Sequence, residues 1–198
     1  MTNNTNEQNT IMETRSKTRE LTGMAMMAAL SVVVLLVIPK FPIFPAAPYL
    51  VYDMADVPII MSTFMFGPVP GLMVLIIVSL IQALMLSADG LVGGLMHILA
   101  SGTLIMVAYY VANKIGNTKG MIIGLLAGSI GMTLMMIPLN LIITVHVYGT
   151  PQDVVLAALV PAIIPFNFLK AAINSAIFFV CYKLINISKP GLFKFGRE

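Results

Sequence analysis

The sequence predicts an all-α membrane protein with six transmembrane helices and with both termini in the cytoplasm. Its 198 residues are 59% hydrophobic and only 10% charged, and their mean hydropathy is +0.96. Soluble domains carry roughly 25% charged residues. Residues 21–182 contain only eight charged side chains, too few to give a globule of this size a hydrated surface. This composition excludes a disordered chain, a nucleic-acid-binding domain and an ordinary cytosolic enzyme.

Six apolar stretches are the predicted helices. A membrane core about 30 Å thick requires about 20 apolar residues per helix. Breaks rich in proline, glycine or charged residues separate the stretches from one another. The second stretch is shorter than the others. The predicted helices cover residues 21–39, 57–66, 72–86, 92–111, 121–145 and 161–185.

The first connection, residues 40–53, is predicted to be a loop. Four prolines recur there and just before it, at three-residue spacing, and they exclude a regular helix. Asp53 and Asp56 follow the prolines, with Pro58 where the next helix would begin. We expect these acids to order the loop and Asp56 to cap that helix.

Basic residues are distributed unevenly between the two ends of the predicted bundle. With six helices, nine of the eleven Lys and Arg residues fall on the side of the two termini, and only Lys40 falls in a loop on the opposite side. Short cytoplasmic loops typically carry such an excess. We therefore expect a disordered cytoplasmic tail over residues 1–18, a six-helix membrane domain over 19–188 and a cytoplasmic C-terminal tail over 189–198.

The scarcity of certain residue types and the absence of certain motifs exclude several kinds of site. Cys181 is the only cysteine, and His97 and His146 are the only histidines, so we expect neither a disulfide framework nor a usual metal site. The P-loop motif that binds ATP phosphates is absent. Internal repeats are not evident either, which disfavours a secondary transporter built on inverted repeats.

Pairs of small residues four positions apart occur in two predicted helices. Ala25 and Ala29 lie in the first helix, and Gly124 and Gly128 lie in the fifth. Small residues at this spacing let helix backbones approach closely in lipid. The pairs indicate either packing within the bundle or docking onto a separate membrane protein.

Three polar side chains are expected at similar depth inside the helices: Asn140, Asn167 and Lys170. Lys170 lies about 13 Å below the start of the last helix, where a lysine is costly unless it faces partners or a cavity. Each asparagine follows a proline by two residues, and proline kinks open room for a ligand. Two carboxamides and an ammonium could bind the donors and acceptors of a planar heterocycle. A hydrogen bond between helices explains each asparagine equally well.

His97 and Ser101 lie one turn apart and are expected to bond to each other. They are also the only candidates for a nucleophile–base pair in an intramembrane enzyme, but no acid is placed to orient the histidine. We therefore expect binding and delivery of a ligand rather than catalysis.

From about Arg19 onward, the chain resembles the substrate-binding S components of energy-coupling factor (ECF) vitamin transporters, most closely those specific for riboflavin. The resemblance rests on the order and spacing of segments FPAAPYLVYDMADVP at 44–58, GGLMHILASG at 93–102, PLN at 138–140 and PFNFLK at 165–170. It implies a six-helix bundle in the cell membrane that captures riboflavin at the outer face and delivers it inward, with riboflavin as transported ligand and no cofactor.

The resemblance also implies site residues and partners. Asn140, Asn167 and Lys170 match positions that bind the flavin, and His97 stands where an asparagine is common. The loop backbone at Ala46, Ala47 and Pro48 matches a contacting strand. Tyr49 in the same loop is aromatic and could cover a bound ring. Ala25 and Ala29 match the docking site for an EcfT-like transmembrane coupling subunit, which would act with a pair of EcfA-type ATPases.

Two alternatives remain open at this stage. The chain could be an S component for another vitamin, or a self-sufficient secondary transporter.

Overall fold

The structure, a computed structural model, describes residues 2–44, 47, 50–86 and 90–193, and for residues 2–15 and 86 it describes only the backbone. Within these ranges the fold is all-α apart from one small antiparallel hairpin, which confirms the predicted fold class. Three π-helical turns, Gln82–Leu86, Asn140–Thr144 and Leu159–Ile163, interrupt or extend the helices. In chain order the other elements are α1 (Thr2–Val37), β1 (Phe41–Pro42), β2 (Val51–Tyr52), α2 (Asp56–Phe66), α3 (Pro68–Ile81), α4 (Gly90–Ile115), α5 (Thr118–Leu139), α6 (Gln152–Ala158) and α7 (Ile164–Ser188).

Five helical segments of the described chain are long and apolar enough to cross a membrane. They are Ser16–Val37, Pro68–Met85, Gly90–Ile115, Thr118–Thr144 and Gln152–Ser188. The sixth predicted helix corresponds to α2, which has 11 residues and is therefore only about 16 Å long. Because this length is less than the membrane core, the count of six spans stays a prediction, as do the cytoplasmic termini.

The short helix α2 lies at the centre of the bundle. Ile59, Ile60 and Phe64 are fully buried, and the ring of Phe64 stacks on that of Phe178 in α7 with centroids 5.0 Å apart. Gly67, with a positive φ of 113° that favours glycine, turns the chain directly into α3. The first turn of α2 is thus held among the other helices rather than at a lipid-facing surface.

The close approach of α4 and α5 accounts for the glycine pair in α5. A Cβ atom at Gly128 would lie 2.5 Å from the carbonyl oxygen of Leu104, and one at Gly124 would collide with the carbonyl of Ala108. Only glycine fits at such distances. For this pair, packing within the bundle is therefore the correct interpretation.

Two boundaries differ from the prediction by more than four residues. The last helical segment begins at Gln152 rather than at 161, because a π turn accommodates Pro161 without ending the helix. At the other terminus, α1 begins at Thr2, so the backbone of the expected disordered tail is helical. No glycine or proline precedes Gly23, and Glu, Gln, Met, Lys and Arg in this stretch favour helix. The domain boundaries themselves stay predictions.

Candidate functional site

A cavity of about 520 Å³ lies at the end of the bundle that carries the β1–β2 hairpin, called the hairpin end below. Binding sites for small molecules have volumes of roughly 300–1,000 Å³. The wall is formed by the hairpin, the first half of α4, the end of α5, the start of α7 and two of the π turns. Its polar side chains include those of Asp53, Gln82, His97, Asn140, Asn167 and Lys170.

The structure brings together the three polar residues that the sequence placed at similar depth. Asn140, Asn167 and Lys170 all line the cavity, and their exposed fractions are only 8%, 2% and 9%. They come from two different helical segments, so their proximity is a property of the fold. Their role as ligand contacts stays a prediction.

Irregular helix geometry near the prolines positions both asparagines. Asn140 opens the second π turn, where its Nδ2 donates to Met136 O (2.8 Å) and its Oδ1 accepts from Thr144 (3.2 Å). Asn167 follows the third π turn, and its Nδ2 donates to Ile163 O at 2.7 Å. The Oδ1 of Asn167 has no hydrogen-bond partner within the described ranges. Asn167 therefore retains one acceptor and one amide hydrogen for a ligand.

Lys170 does not stand alone at the cavity wall. Its Nζ donates to Asp53 Oδ2 at 2.9 Å, and both side chains are about nine-tenths buried. The other carboxylate oxygen of Asp53 accepts from the backbone N–H of Ala55 at 3.2 Å. An ammonium has three hydrogens, so Lys170 can bind Asp53 and still donate to a ligand.

The predicted capping role of Asp56 is wrong. The N-cap position is Ala55, without a side-chain capping bond, and Asp56 lies in the first turn of α2. Its Oδ1 accepts from His97 Nε2 at 2.9 Å, and its Oδ2 accepts from Asn174 Nδ2 at 3.3 Å. Because α2 is central, this carboxylate meets partners on α4 and α7 instead of its own backbone N–H groups.

The expected hydrogen bond between His97 and Ser101 is also absent. The Nδ1 of His97 is bonded to Ser79 Oγ at 2.9 Å, and its Nε2 is bonded to Asp56. Ser101 Oγ is buried and has no partner in the described part of the chain. Both ring nitrogens of His97 are therefore engaged by the protein, which leaves only its carbon edge for a ligand. His97 lines the cavity wall, and its contact with a ligand stays a prediction.

Asn174, one turn beyond Lys170, completes this polar network. Its Nδ2 also donates to the backbone carbonyl of Asp53 at 3.3 Å, and its Oδ1 accepts from Tyr52 Oη at 2.8 Å. Burial, reinforced by the neighbouring Asp53 carboxylate, raises the pKa of Tyr52 to about 12, so its hydroxyl remains a donor at physiological pH. The network joins the end of the hairpin to α2, α4 and α7.

The predicted loop contacts are only partly described. Ala46, Pro48 and Tyr49 lie outside the described residues. Ala47 is buried, bonded through its backbone to Phe44 O and Leu50 N at 3.0 Å each, and it is not part of the cavity wall. The contact roles of all four stay predictions.

The predicted docking residues Ala25 and Ala29 lie on the outer surface of α1. Both are exposed, as are Met26 and Val33 beside them. Internal packing, the explanation that holds for the glycine pair of α5, therefore does not apply here. Docking onto a separate membrane protein stays the prediction for this surface.

Sequence reasoning missed Gln82 and the roles of the two acids. Gln82 is a polar residue in an otherwise apolar stretch, which is a usable signal. The partnership of Lys170 with Asp53 had a signal too, because a lysine buried in a membrane protein requires a counter-charge. Between residues 21 and 182 the sequence offers four candidate acids: Asp53, Asp56, Asp89 and Asp153.

Residues 19–182 match the family described as ECF transporter, substrate-specific component. Two curated relatives are the riboflavin transporter RibU of Staphylococcus aureus (strain TCH60) and the riboflavin transporter FmnP of Bacillus subtilis (strain 168). RibU is 32% identical over 68% of this chain and 74% of its own length, and FmnP is 28% identical over 66% and 73%.

A solved structure of the S component of a bacterial ECF transporter is also similar. It superposes with a TM-score of 0.76 and 33% sequence identity, covering 87% of this chain and 99% of its own. These relatives are transport proteins, and the apolar helices are those of a multi-pass protein of the cell membrane. The intramembrane enzyme considered from the sequence is therefore set aside. The chain belongs to the family of substrate-specific (S) components of ECF transporters.

Proposed function

We propose that this S component captures riboflavin at the outer face of the membrane and delivers it to the cytoplasm with an ATP-driven coupling module. The observation that carries the proposal is the cavity at the hairpin end, in whose wall Asn140, Asn167 and Lys170 converge. Its support from the comparisons is that both curated relatives are riboflavin transporters.

The hydrogen-bonding groups of the wall suit the polar edge of a flavin ring. That edge presents one N–H donor with one carbonyl acceptor on each side of it. The ammonium of Lys170 and the amide hydrogens of the asparagines are donors for the carbonyls, and Asn167 Oδ1 is an acceptor for the N–H. Met132 and Met136 line the same cavity, and flexible thioether side chains pack well against a flat ring.

The buried ion pair of the cavity wall favours an uncharged ligand. Lys170 is compensated by Asp53 at 2.9 Å, so this pair leaves no net charge facing a ligand. A cationic vitamin such as thiamine or an anionic one such as pantothenate would lose hydration without gaining a counter-charge from this pair. This argument favours riboflavin over the other vitamins considered.

We further propose that an EcfT-like subunit docks at the exposed surface around Ala25 and Ala29, and that a pair of EcfA-type ATPases acts through it. Because the chain has no P-loop motif, ATP hydrolysis requires separate subunits. In this arrangement the hairpin end faces outward.

Uptake of labelled riboflavin tests the proposal in cells that neither make nor import the vitamin. Expression of this chain with its coupling subunits should restore uptake, and excess unlabelled riboflavin, but not thiamine or pantothenate, should compete. Expression without any coupling subunit should leave uptake at background. Uptake by the chain alone would instead identify a self-sufficient secondary transporter, and competition by another vitamin would identify a different substrate.

A further inference from the structure

Gln82 lines the cavity and carries a buried polar atom that no described residue satisfies. Its Oε1 is shielded from solvent and makes no hydrogen bond within the described ranges. Two other side-chain atoms of the described chain share this property, those of Ser62 and Ser101, but neither residue lines the cavity. Among the described residues, Gln82 is therefore distinguished by combining an unpartnered buried oxygen with a place in the cavity lining.

The backbone around Gln82 is irregular as well. It begins the first π turn, Gln82–Leu86, and both Gln82 and Ala83 reach the cavity wall. Single π turns within α-helices are frequent at functional sites. Buried polar atoms without partners are uncommon in native proteins, and each calls for an explanation. These two observations are independent, and both point to the same residue.

We propose that Gln82 is a further specificity-determining residue, whose carboxamide turns toward the cavity when riboflavin binds, so that its oxygen accepts a hydrogen bond from a hydroxyl of the ribityl chain. This inference rests on the proposed function. The ring of a neutral flavin offers a single N–H donor, for which Asn167 Oδ1 is already available. The ribityl chain of riboflavin offers several hydroxyl donors. Gln82 lies on a different helix from Asn140, Asn167 and Lys170. An additional acceptor at this position therefore suits the ribityl chain rather than the flavin ring.

The test compares two ligands on one variant. Gln82→Met keeps the length of the side chain but removes both amide atoms. Its affinity for riboflavin should fall about tenfold, as expected for one lost hydrogen bond, and its affinity for lumiflavin, which has a methyl group in place of the chain, should change less than about twofold. Gln152→Met, at an exposed glutamine of α6, is the matched control and should change neither affinity.

The outcomes separate this inference from the proposed function. Suppose that the unaltered protein binds riboflavin. If Gln82→Met then binds riboflavin equally well, or if its affinities for riboflavin and lumiflavin fall to the same extent, Gln82 does not contact the ribityl chain and the inference is overturned. If the unaltered protein binds neither flavin, the proposed function fails and the inference fails with it.

A second measurement needs no variant and so avoids any folding defect. The unaltered protein should bind a flavin carrying an alkyl chain without hydroxyls about as weakly as Gln82→Met binds riboflavin. Equal affinity of the unaltered protein for this analogue and for riboflavin would also overturn the inference.

Discussion

Lys170 in α7 donates a 2.9 Å hydrogen bond to Asp53, which lies 117 positions earlier, immediately after the hairpin. This ion pair gives Lys170 two roles. It supplies a donor to the cavity, and it holds the connection between hairpin and α2 against α7. Riboflavin binding and the position of the hairpin should therefore depend on the same pair of charges.

Replacing Asp53 with asparagine should weaken riboflavin binding by about tenfold or more. The ammonium would lose its counter-charge, and breaking a buried pair by removing one partner typically costs roughly 3–5 kcal/mol; the asparagine carbonyl would recover part of this. Flavin fluorescence in a titration of purified protein measures the effect. Asp153→Asn, an exposed aspartate in the first turn of α6, is the matched control. Unchanged affinity of Asp53→Asn would show that the pair does not position Lys170.

The double variant Asp53→Asn with Lys170→Met should separate stability from binding. Lys170→Met alone leaves the Asp53 carboxylate unpaired and should lower the Tm. Adding Asp53→Asn removes that charge and should restore most of the Tm, because replacing both members of a buried pair is often nearly neutral. Riboflavin binding should remain weak in both. Recovery of binding in the double variant would contradict a direct contact between Lys170 and the ligand.

Gly128→Ala should destabilise the bundle by about 1–3 kcal/mol, since the new Cβ would lie 2.5 Å from the backbone of α4 and force the helices apart. Thermal unfolding in detergent measures the loss. Gly102→Ala is the control, because a Cβ there would meet its nearest neighbour, a leucine side chain, at 3.6 Å. A similar Tm for both variants would contradict the close packing of α4 on α5.

Ala29→Leu should abolish most uptake while leaving riboflavin affinity unchanged. The residue is exposed on α1, none of whose described side chains lines the cavity, and a larger side chain would prevent close approach of a partner helix. Uptake in cells and binding to purified protein are compared. Ala176→Leu, at an exposed alanine of α7, should leave both normal. If uptake survives in Ala29→Leu, the coupling subunit docks elsewhere.

Hydropathy and spacing predicted the parts of the fold that depend on local sequence. Lipid imposes a minimum helix length, so the long apolar stretches became helices. The rise per residue placed Asn140 and Asn167 at one depth, and the structure brings both to one cavity. The continuation of the last helix through Pro161 was missed because a π turn, which depends on neighbouring packing, accommodates the proline.

The hydrogen bonds of the polar network could not be predicted in detail, because tertiary packing determines which side chains lie close enough to bond. Asp56 has the sequence position of a helix cap, yet the central location of α2 brings it to His97 and Asn174. His97 likewise bonds across to Ser79 rather than along its own helix to Ser101. Local sequence gives the candidates for such bonds, and only the arrangement of helices decides among them.

The most direct test of the account is a titration of purified protein with riboflavin, in parallel with Asn167→Leu, because Asn167 lines the cavity and its Oδ1 has no partner among the described residues. We expect saturable quenching of flavin fluorescence with one flavin per chain, no competition by thiamine or pantothenate, and binding by Asn167→Leu at least about tenfold weaker, as expected for a lost ligand hydrogen bond. Absence of saturable binding, or equal affinity of the unaltered protein and Asn167→Leu, would contradict the assignment of this cavity to riboflavin.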